Sequence, residues 1–234
     1  MDQSEPDFRI TSYLAQLPLF TDMAAVELER LAAGCSVRRY ARGQTLFSVG
    51  EPCHEFHVMV SGQVKLFALS AAGNEKVIEL LSFGHSFGEA LAFSDRPYIV
   101  SAQALVDSMV LHVRQSAVLR EIELDSRFAL RMIAGMSRRL HGLVHDVQAY
   151  ALHSGTQRVI GYLLRDQRLG DVPPGEPVTV TLPVSKVTIA SRLSITPEYL
   201  SRILRELDER GLIKVDKRDI HIPDARRLAE YPPA

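Results

Sequence analysis

The 234-residue sequence contains only two cysteines, Cys35 and Cys53. Two thiols cannot build a disulfide scaffold or a four-thiolate cluster, so buried, idle side chains are the plain expectation for both. Long apolar runs are missing too: none approaches the roughly 18 residues that a membrane-spanning helix needs. The opening MDQSEPDFRITSYLAQ lacks the basic stretch and apolar core of a secretory signal, so a cytoplasmic protein without a membrane partner is expected. Excess charge of one sign is also absent, the formal net charge being −1. The charges are nevertheless uneven, with 14 basic and 17 acidic side chains before Ser154 and 13 and 11 from there onward. The second part is therefore the better place for a polyanionic partner. With 46% hydrophobic and 24% charged residues the composition is that of a folded globular protein, and the length allows two domains with separate cores.

PLFTDMAAVELERLA predicts a short helix capped by Thr21 or Asp22, with Val26, Leu28 and Leu31 on its apolar side. From Tyr40 to about Arg114, short runs of Val, Leu, Ile and Phe are punctuated by Gly43, Gly50, Gly62, Gly73, Gly84 and Gly88. This rhythm predicts an antiparallel sandwich or barrel. HVMVSGQVKLFAL and SAAGNEKVIELL read as two strands joined by a turn at Gly73 and Asn74. Between Ser126 and Leu152 the period changes: Ile133, Met136, Leu140, Leu143, Val147 and Tyr150 recur at alternating steps of three and four. Such a narrow seam, flanked by Arg138, Arg139, His141, His145, Asp146 and Gln148, predicts pairing with a twin helix rather than packing on the chain's own sheet. His153-Ser154-Gly155-Thr156 then breaks the helix and starts another. GDVPPGEP is a loop, and VTVTLPV alternates as a strand.

The last quarter predicts helix, turn, helix and hairpin. Ser185 can cap a helix running to about Arg192, and Leu193-Ser194-Ile195 forms a turn. Thr196 caps a second helix with Pro197 at its first position and Gly211 just past its end, the places those residues favour. Leu200, Ile203, Leu204 and Leu207 make its buried stripe, which leaves Glu198, Ser201, Arg202 and Arg205 on the opposite face. A recognition helix contacts bases through its N-terminal residues, where arginine suits guanine O6/N7 and glutamate suits cytosine N4. The strands Leu212 to Val215 and Ile220 to Ile222, around Asp216-Lys217-Arg218, form a wing from which Lys214, Lys217 and Arg218 can approach phosphate.

On these segments the chain resembles the Crp/Fnr family along nearly its whole length. FHVMVSGQVKLFAL is similar to its sensor-roll strands, FGEALAFSDRP to its pocket loop, MSRRLHGLV to its dimer helix and SITPEYLSRILRELDERGLI to its recognition helix. The resemblance implies an α+β fold: an N-terminal double-stranded β-helix, or jelly-roll cyclic-nucleotide-binding-like sensor (1–125), a dimerisation helix (126–153) and a C-terminal winged helix-turn-helix (154–234). It implies a homodimeric regulator with double-stranded DNA and RNA polymerase as partners. An E-x-x-S-R pattern, here Glu198, Ser201 and Arg202, reads an inverted repeat with TTGA-type half-sites in the Fnr-like branch. Arg205, Lys217, Arg218, Ser185 and Thr196 complete the expected DNA-contact set.

The same resemblance places Glu89, Ile99, Val100, Leu143 and Val144 in the effector pocket. Ile99 and Val100 stand where nucleotide binders carry an arginine, and Leu143 and Val144 where they carry hydroxyls, so an apolar pocket without cyclic AMP is expected. No cysteine precedes Cys35, which argues against the N-terminal iron–sulfur cluster of oxygen-sensing members. The likeness is strongest to the Dnr type, regulators of denitrification that respond to nitric oxide through haem, with His141 or His145 as the iron ligand among His54, His57, His85, His141, His145 and His153. Three readings compete: a Crp/Fnr-type regulator responding to a different small apolar effector, a nucleotide-binding module without DNA activity, and a cupin-like metal enzyme suggested by His54 and His57. A separation of three puts those two on opposite faces of a strand, which disfavours the enzyme.

Overall fold

The computed structural model describes residues 9–17, 20, 23–94, 96–165 and 176–231, without the side chain of Arg138. Thr21, Asp22, the Arg138 side chain and the GDVPPGEP loop as far as Gly175 lie outside the described residues. The chain divides into two compact units, residues 1–68 with 78–141 and residues 69–77 with 142–234.

In the first unit, α1 (Ile10–Leu14) and α2 (Ala25–Ala32) precede a roll of eight strands. The cap position of α2 is Ala24, whose N–H donates to Glu27 Oε2 at 2.6 Å. Leu28 and Leu31 are buried as expected, but Val26 is 57% exposed and faces away from the core. The strands are β1 (Cys35–Tyr40), β2 (Thr45–Phe47), β3 (Glu55–Ser61), β4 (Val64–Leu69), β5 (Glu75–Leu81), β6 (Ser86–Phe87), β7 (Ser101–Ala104) and β8 (Ser108–Arg114), with the one-turn α3 (Glu89–Ala92) between β6 and β7. They form two four-stranded sheets, β1-β8-β3-β6 and β2-β7-β4-β5. Alternating residues such as Phe56, Val58, Val64, Leu66, Leu111 and Val113 make the core with Phe47 and Phe87.

HVMVSGQVKLFAL is not one strand. It breaks at Gly62 into β3 and β4, which join different sheets. Gly62 has φ +84°, and a Cβ there would lie 2.6 Å from Asp107 O and 2.7 Å from Ser108 Cα, so only glycine fits. A helix that the strand rhythm did not announce, α4 (Gln115–Leu124), closes the roll and is tied to α2 by the Arg30–Glu121 ion pair at 2.9 Å. Phe128 and Met132, at the start of the 27-residue α5 (Ser126–Leu152), belong to the same core, with the Phe128 ring stacked on Phe20.

The second unit holds α6 (Gly155–Leu164), β9 (Val178–Thr181), α7 (Lys186–Arg192), α8 (Pro197–Glu209), β10 (Lys214–Asp216), β11 (Asp219–Ile222) and α9 (Ala225–Ala229). Ser154 accepts from Gln157 N while Gln157 Oε1 accepts from Ser154 N, a reciprocal cap that starts α6 where the sequence pattern broke. The wing hairpin gains β9 as a third strand, in the order β10-β11-β9. No helix among the described residues is long and apolar enough to cross a membrane.

Candidate functional site

The helix pair α7–α8 is built by its caps. Ser185 Oγ accepts from Thr188 N at 3.2 Å, and Thr196 Oγ1 accepts from Tyr199 N at 3.2 Å. Both hydroxyls expected at DNA are therefore engaged in starting helices. Between the helices Ser194 takes φ +56°, which turns the chain within three residues. At the far end Gly211, at φ +67°, donates to Asp208 O at 2.9 Å and closes α8 in the left-handed conformation foreseen for it. Leu200, Ile203, Leu204 and Leu207 are each at most 3% exposed and fix the rotation of α8. That rotation leaves Glu198, Ser201, Arg202 and Arg205 exposed together. Ser201 Oγ donates to Pro197 O at 2.9 Å, and the Arg202 guanidinium lies 4.7 Å from the centre of the Tyr199 ring. No ion pair joins Glu198 to Arg202 among the described residues, so the two polar ends stay open to a partner.

Lys217 and Arg218 are exposed at the tip of the wing, Lys217 with φ +53°. Lys214 instead pairs with Asp208 at 3.5 Å, and Asp208 also accepts from Val215 N. The base of α7 is held by Arg192, 6% exposed, whose guanidinium donates to Asp146 Oδ2 at 2.5 Å and contacts the Tyr150 hydroxyl. Tyr150 returns a hydrogen bond to Arg192 O at 2.6 Å. Lys76, at the start of β5 in the stretch that belongs to this unit, donates to Ser191 O, Arg192 O and Ser194 Oγ at 2.7–2.9 Å. Burial lowers the pKa of Lys76 to about 8. Sequence reasoning missed this anchor, because only folding brings residue 76 to residue 192.

Along α5 the expected seam divides. Ile133, Leu140, Leu143 and Val147 are 41–64% exposed, and Leu130 at 66% and Val144 at 47% are open beside them. Met136 instead lines a cavity of the sensor roll, and Tyr150 is spent on α7 as described. His141 and His145 are exposed and line no described cavity.

The sensor cavity, about 370 Å³, is bounded by β3, β5, the Gly84–Ser86 turn, α3 and α5. Of the expected pocket residues, Glu89 lines it; Ile99, Val100, Leu143 and Val144 do not, and Ile99 is 69% exposed in a bend before β7. The expectation of an apolar pocket without a cation is corrected by Arg139. Its guanidinium reaches from α5 to Glu79 Oε2 at 2.5 Å, Glu89 Oε2 at 3.7 Å and Ser86 O at 2.5 Å. The wall is thus mixed: this ion-paired cluster faces Leu17, Phe20, Val58, Met132 and Met136, with His85 beside them. A reach from a helix to a strand 60 residues earlier carries no signature in the sequence, so Arg139 read only as a seam flank.

The histidines also fall elsewhere than expected. His57 is buried between Phe47 and Phe87, and burial drops its pKa to about 3, so it is neutral at ordinary pH. Its partner is His112, absent from the expected set, while His54 precedes β3 and is exposed. Burial raises the pKa of Cys35 to about 12 and also raises that of buried Cys53, in keeping with idle thiols.

Comparison with known proteins agrees with this architecture. A family model described as a cyclic nucleotide-binding domain matches residues 37–125, and one described as a Crp-like helix-turn-helix domain matches residues 157–231. The chain is 24% identical over 217 residues to a CRP-like cAMP-activated global transcriptional regulator of Mycobacterium tuberculosis, covering 92% of this chain and 96% of that one. Among solved structures, DNR from Pseudomonas aeruginosa is 35% identical with a TM-score of 0.51, covering 95% of this chain and 98% of its own. FixK2 from Bradyrhizobium japonicum shares the fold, with a TM-score of 0.74 at 22% identity over 86% of this chain and 98% of that one.

Proposed function

The chain belongs to the Crp/Fnr family of DNA-binding transcription regulators, which are not enzymes, and from that premise we propose that it is a homodimer reading a TTGA-type inverted repeat under control of an effector. The observation that carries the DNA part is the outward face of α8, where Glu198, Ser201 and Arg202 stand exposed at the helix start above a buried leucine stripe. Arg202 offers a two-donor fork to guanine, Glu198 an acceptor to cytosine, and Lys217 with Arg218 a phosphate clamp that fixes register without reading sequence. The open apolar side chains of α5 support a second copy of the chain as their cover, since two-fold operators are read by two-fold proteins. RNA polymerase is a further partner in this reading. A gel shift with a TTGA palindrome and a scrambled duplex of equal length tests it: specific retardation lost in Arg202→Ala is expected, and equal retardation of both duplexes contradicts it.

For the effector we carry forward haem responsive to nitric oxide, with denitrification or anaerobic genes as targets, on the Dnr-like sequence and the 35% identity to DNR. The cavity offers such a group iron-ligating side-chain types in His85, Met132 and Met136 and apolar walls in Leu17, Phe20 and Val58, while the Arg139 guanidinium would have to exchange Glu79 or Glu89 for a haem carboxylate. When bound, haem supplies an iron centre that takes a diatomic gas. His141 and His145 do not line this cavity, so they give way to His85 as the first ligand to test. Haem titration should produce one saturable Soret band per subunit, lost in His85→Ala and kept in the His141→Ala/His145→Ala double variant. No saturable binding removes haem and leaves the DNA reading intact.

A further inference from the structure

The sensor roll contains a polar cluster that neither DNA binding nor the cavity at Glu89 uses. Glu55 and His57 are two residues apart on β3 and so share a face, and His112 on β8 stands directly opposite His57 in the strand pairing. One ligand atom from each lies within 4.8 Å of the others. His112 Nδ1 is 2.7 Å from Glu55 Oε1 and 3.2 Å from His57 Nδ1. The outer ring nitrogens are each held by a phenol, His57 Nε2 by Tyr98 at 2.8 Å and His112 Nε2 by Tyr40 at 3.0 Å. His57 and His112 are 2% and 1% exposed.

Counting protons shows why this is more than a hydrogen-bond chain. The Glu55 carboxylate, which also pairs with Arg38 at 3.3 Å, accepts from His112 Nδ1, which carries the shared proton. His57 Nδ1 then accepts from the same N–H. Two acceptor atoms, Glu55 Oε1 and His57 Nδ1, converge on the one His112 N–H, and Tyr40 and Tyr98 fix the two imidazoles from behind. That is the arrangement of metal-ligating histidines with their outer partners.

We propose that Glu55, His57 and His112 form a binding site for a divalent first-row transition metal of the zinc or iron(II) class. Two imidazoles and one carboxylate select these metals over calcium or magnesium, which prefer oxygen alone. Bonds of about 2.0–2.2 Å in tetrahedral geometry place ligand atoms roughly 3.3 Å apart. The 3.2 Å histidine pair already meets this spacing, and the partly exposed Glu55 carboxylate has room to withdraw. On binding, the His112 proton passes from Nδ1 to Nε2, where the Tyr40 oxygen accepts it. A cavity of about 570 Å³ bordered by Glu55, His57, Arg38 and Tyr98 gives the ion its entry and leaves room for a water or an external ligand.

Cobalt(II) titration of the metal-free full-length protein tests this site. Expected is a ligand-field absorption band that saturates at one ion per subunit, is displaced by zinc(II), disappears in His57→Gln and His112→Gln, and weakens at least tenfold in affinity in Glu55→Gln. The band should persist in the His141→Ala/His145→Ala double variant. Far-UV circular dichroism checks that each variant is folded. Should a histidine variant unfold, X-ray absorption of the zinc-loaded wild type decides: scattering from two imidazoles without sulfur is expected. No saturating band, a band lost only with His141 and His145, or a sulfur ligand would overturn the assignment.

Discussion

Leu140→Asp tests the face through which two subunits are held together. In the single subunit Leu140 is 62% exposed, so the substitution removes little intrachain packing and should change subunit stability by no more than about 0.5 kcal/mol. In a dimer closed along α5, that open three-fifths becomes buried. Full burial of a leucine is worth about 1.5–3 kcal/mol, so the lost burial amounts to about 1–2 kcal/mol per subunit and about 2–4 kcal/mol per dimer. At 1.4 kcal/mol per tenfold, the dimer dissociation constant should rise by about 30- to 1,000-fold before the repulsion of two facing carboxylates is added. Sedimentation velocity across a concentration series reads the change directly, and thermal unfolding followed by circular dichroism checks that the subunit is intact. Unchanged mass in wild type and variant, at concentrations where the wild type is dimeric, would refute the argument and assign the α5 stripe to something other than a second copy. Unfolding of the variant at ordinary temperature would refute the premise that Leu140 is free of intrachain duty.

Further outcomes follow from other parts of the structure. Arg202→Ala should weaken specific binding by about 1–3 kcal/mol per half-site and relax preference at one G·C pair, whereas Lys217→Ala should weaken all sequences alike and flatten the salt dependence by about one unit of slope; fluorescence anisotropy at several salt concentrations separates the two. Gly62→Ala, which forces a Cβ against the backbone of Asp107 and Ser108 at positive φ, should cost about 2 kcal/mol or more and lower Tm by several degrees in a thermal melt. Tyr13, buried with its hydroxyl donating to Met59 O, has its pKa raised to about 12 from an ordinary 10. The unfolded chain therefore releases this proton first, so stability present below pH 10 should fall between pH 10 and 12, and Tyr13→Phe should make that part of the profile flatter in urea titrations.

What could be read from the sequence was local. The caps Ser185 and Thr196, the terminator Gly211 and the Leu200–Leu207 stripe all act within one helical turn of themselves, so residue type and spacing fix them. The α5 boundaries at Ser126 and Leu152 were legible for the same reason. Gly62 was seen as punctuation, yet not as a change of sheet, because one glycine between two apolar runs looks the same within a strand and at a corner. The sensor site was not legible. Arg139 meets Glu79 across 60 residues, and His57 meets His112 across 55, through a helix docking and a strand register that no short pattern encodes. A signal for the second pair existed in the alternation Glu55-x-His57, which places both on one face of a strand, but the strand that supplies His112 could be identified only once β3 and β8 were paired. Leu143 and Val144 were placed in the pocket by resemblance alone; on α5 they are open to solvent.

The dependence of DNA binding on half-site geometry tests the two-fold recognition most directly. Anisotropy titrations should compare a palindrome whose half-site centres lie about 10–10.5 bp apart, the same palindrome with about 5 bp inserted, and a single half-site. A dimer presenting two α8 faces should bind the first at least about a hundredfold more tightly than either of the others at the same salt concentration. Equal affinity for all three duplexes would contradict it.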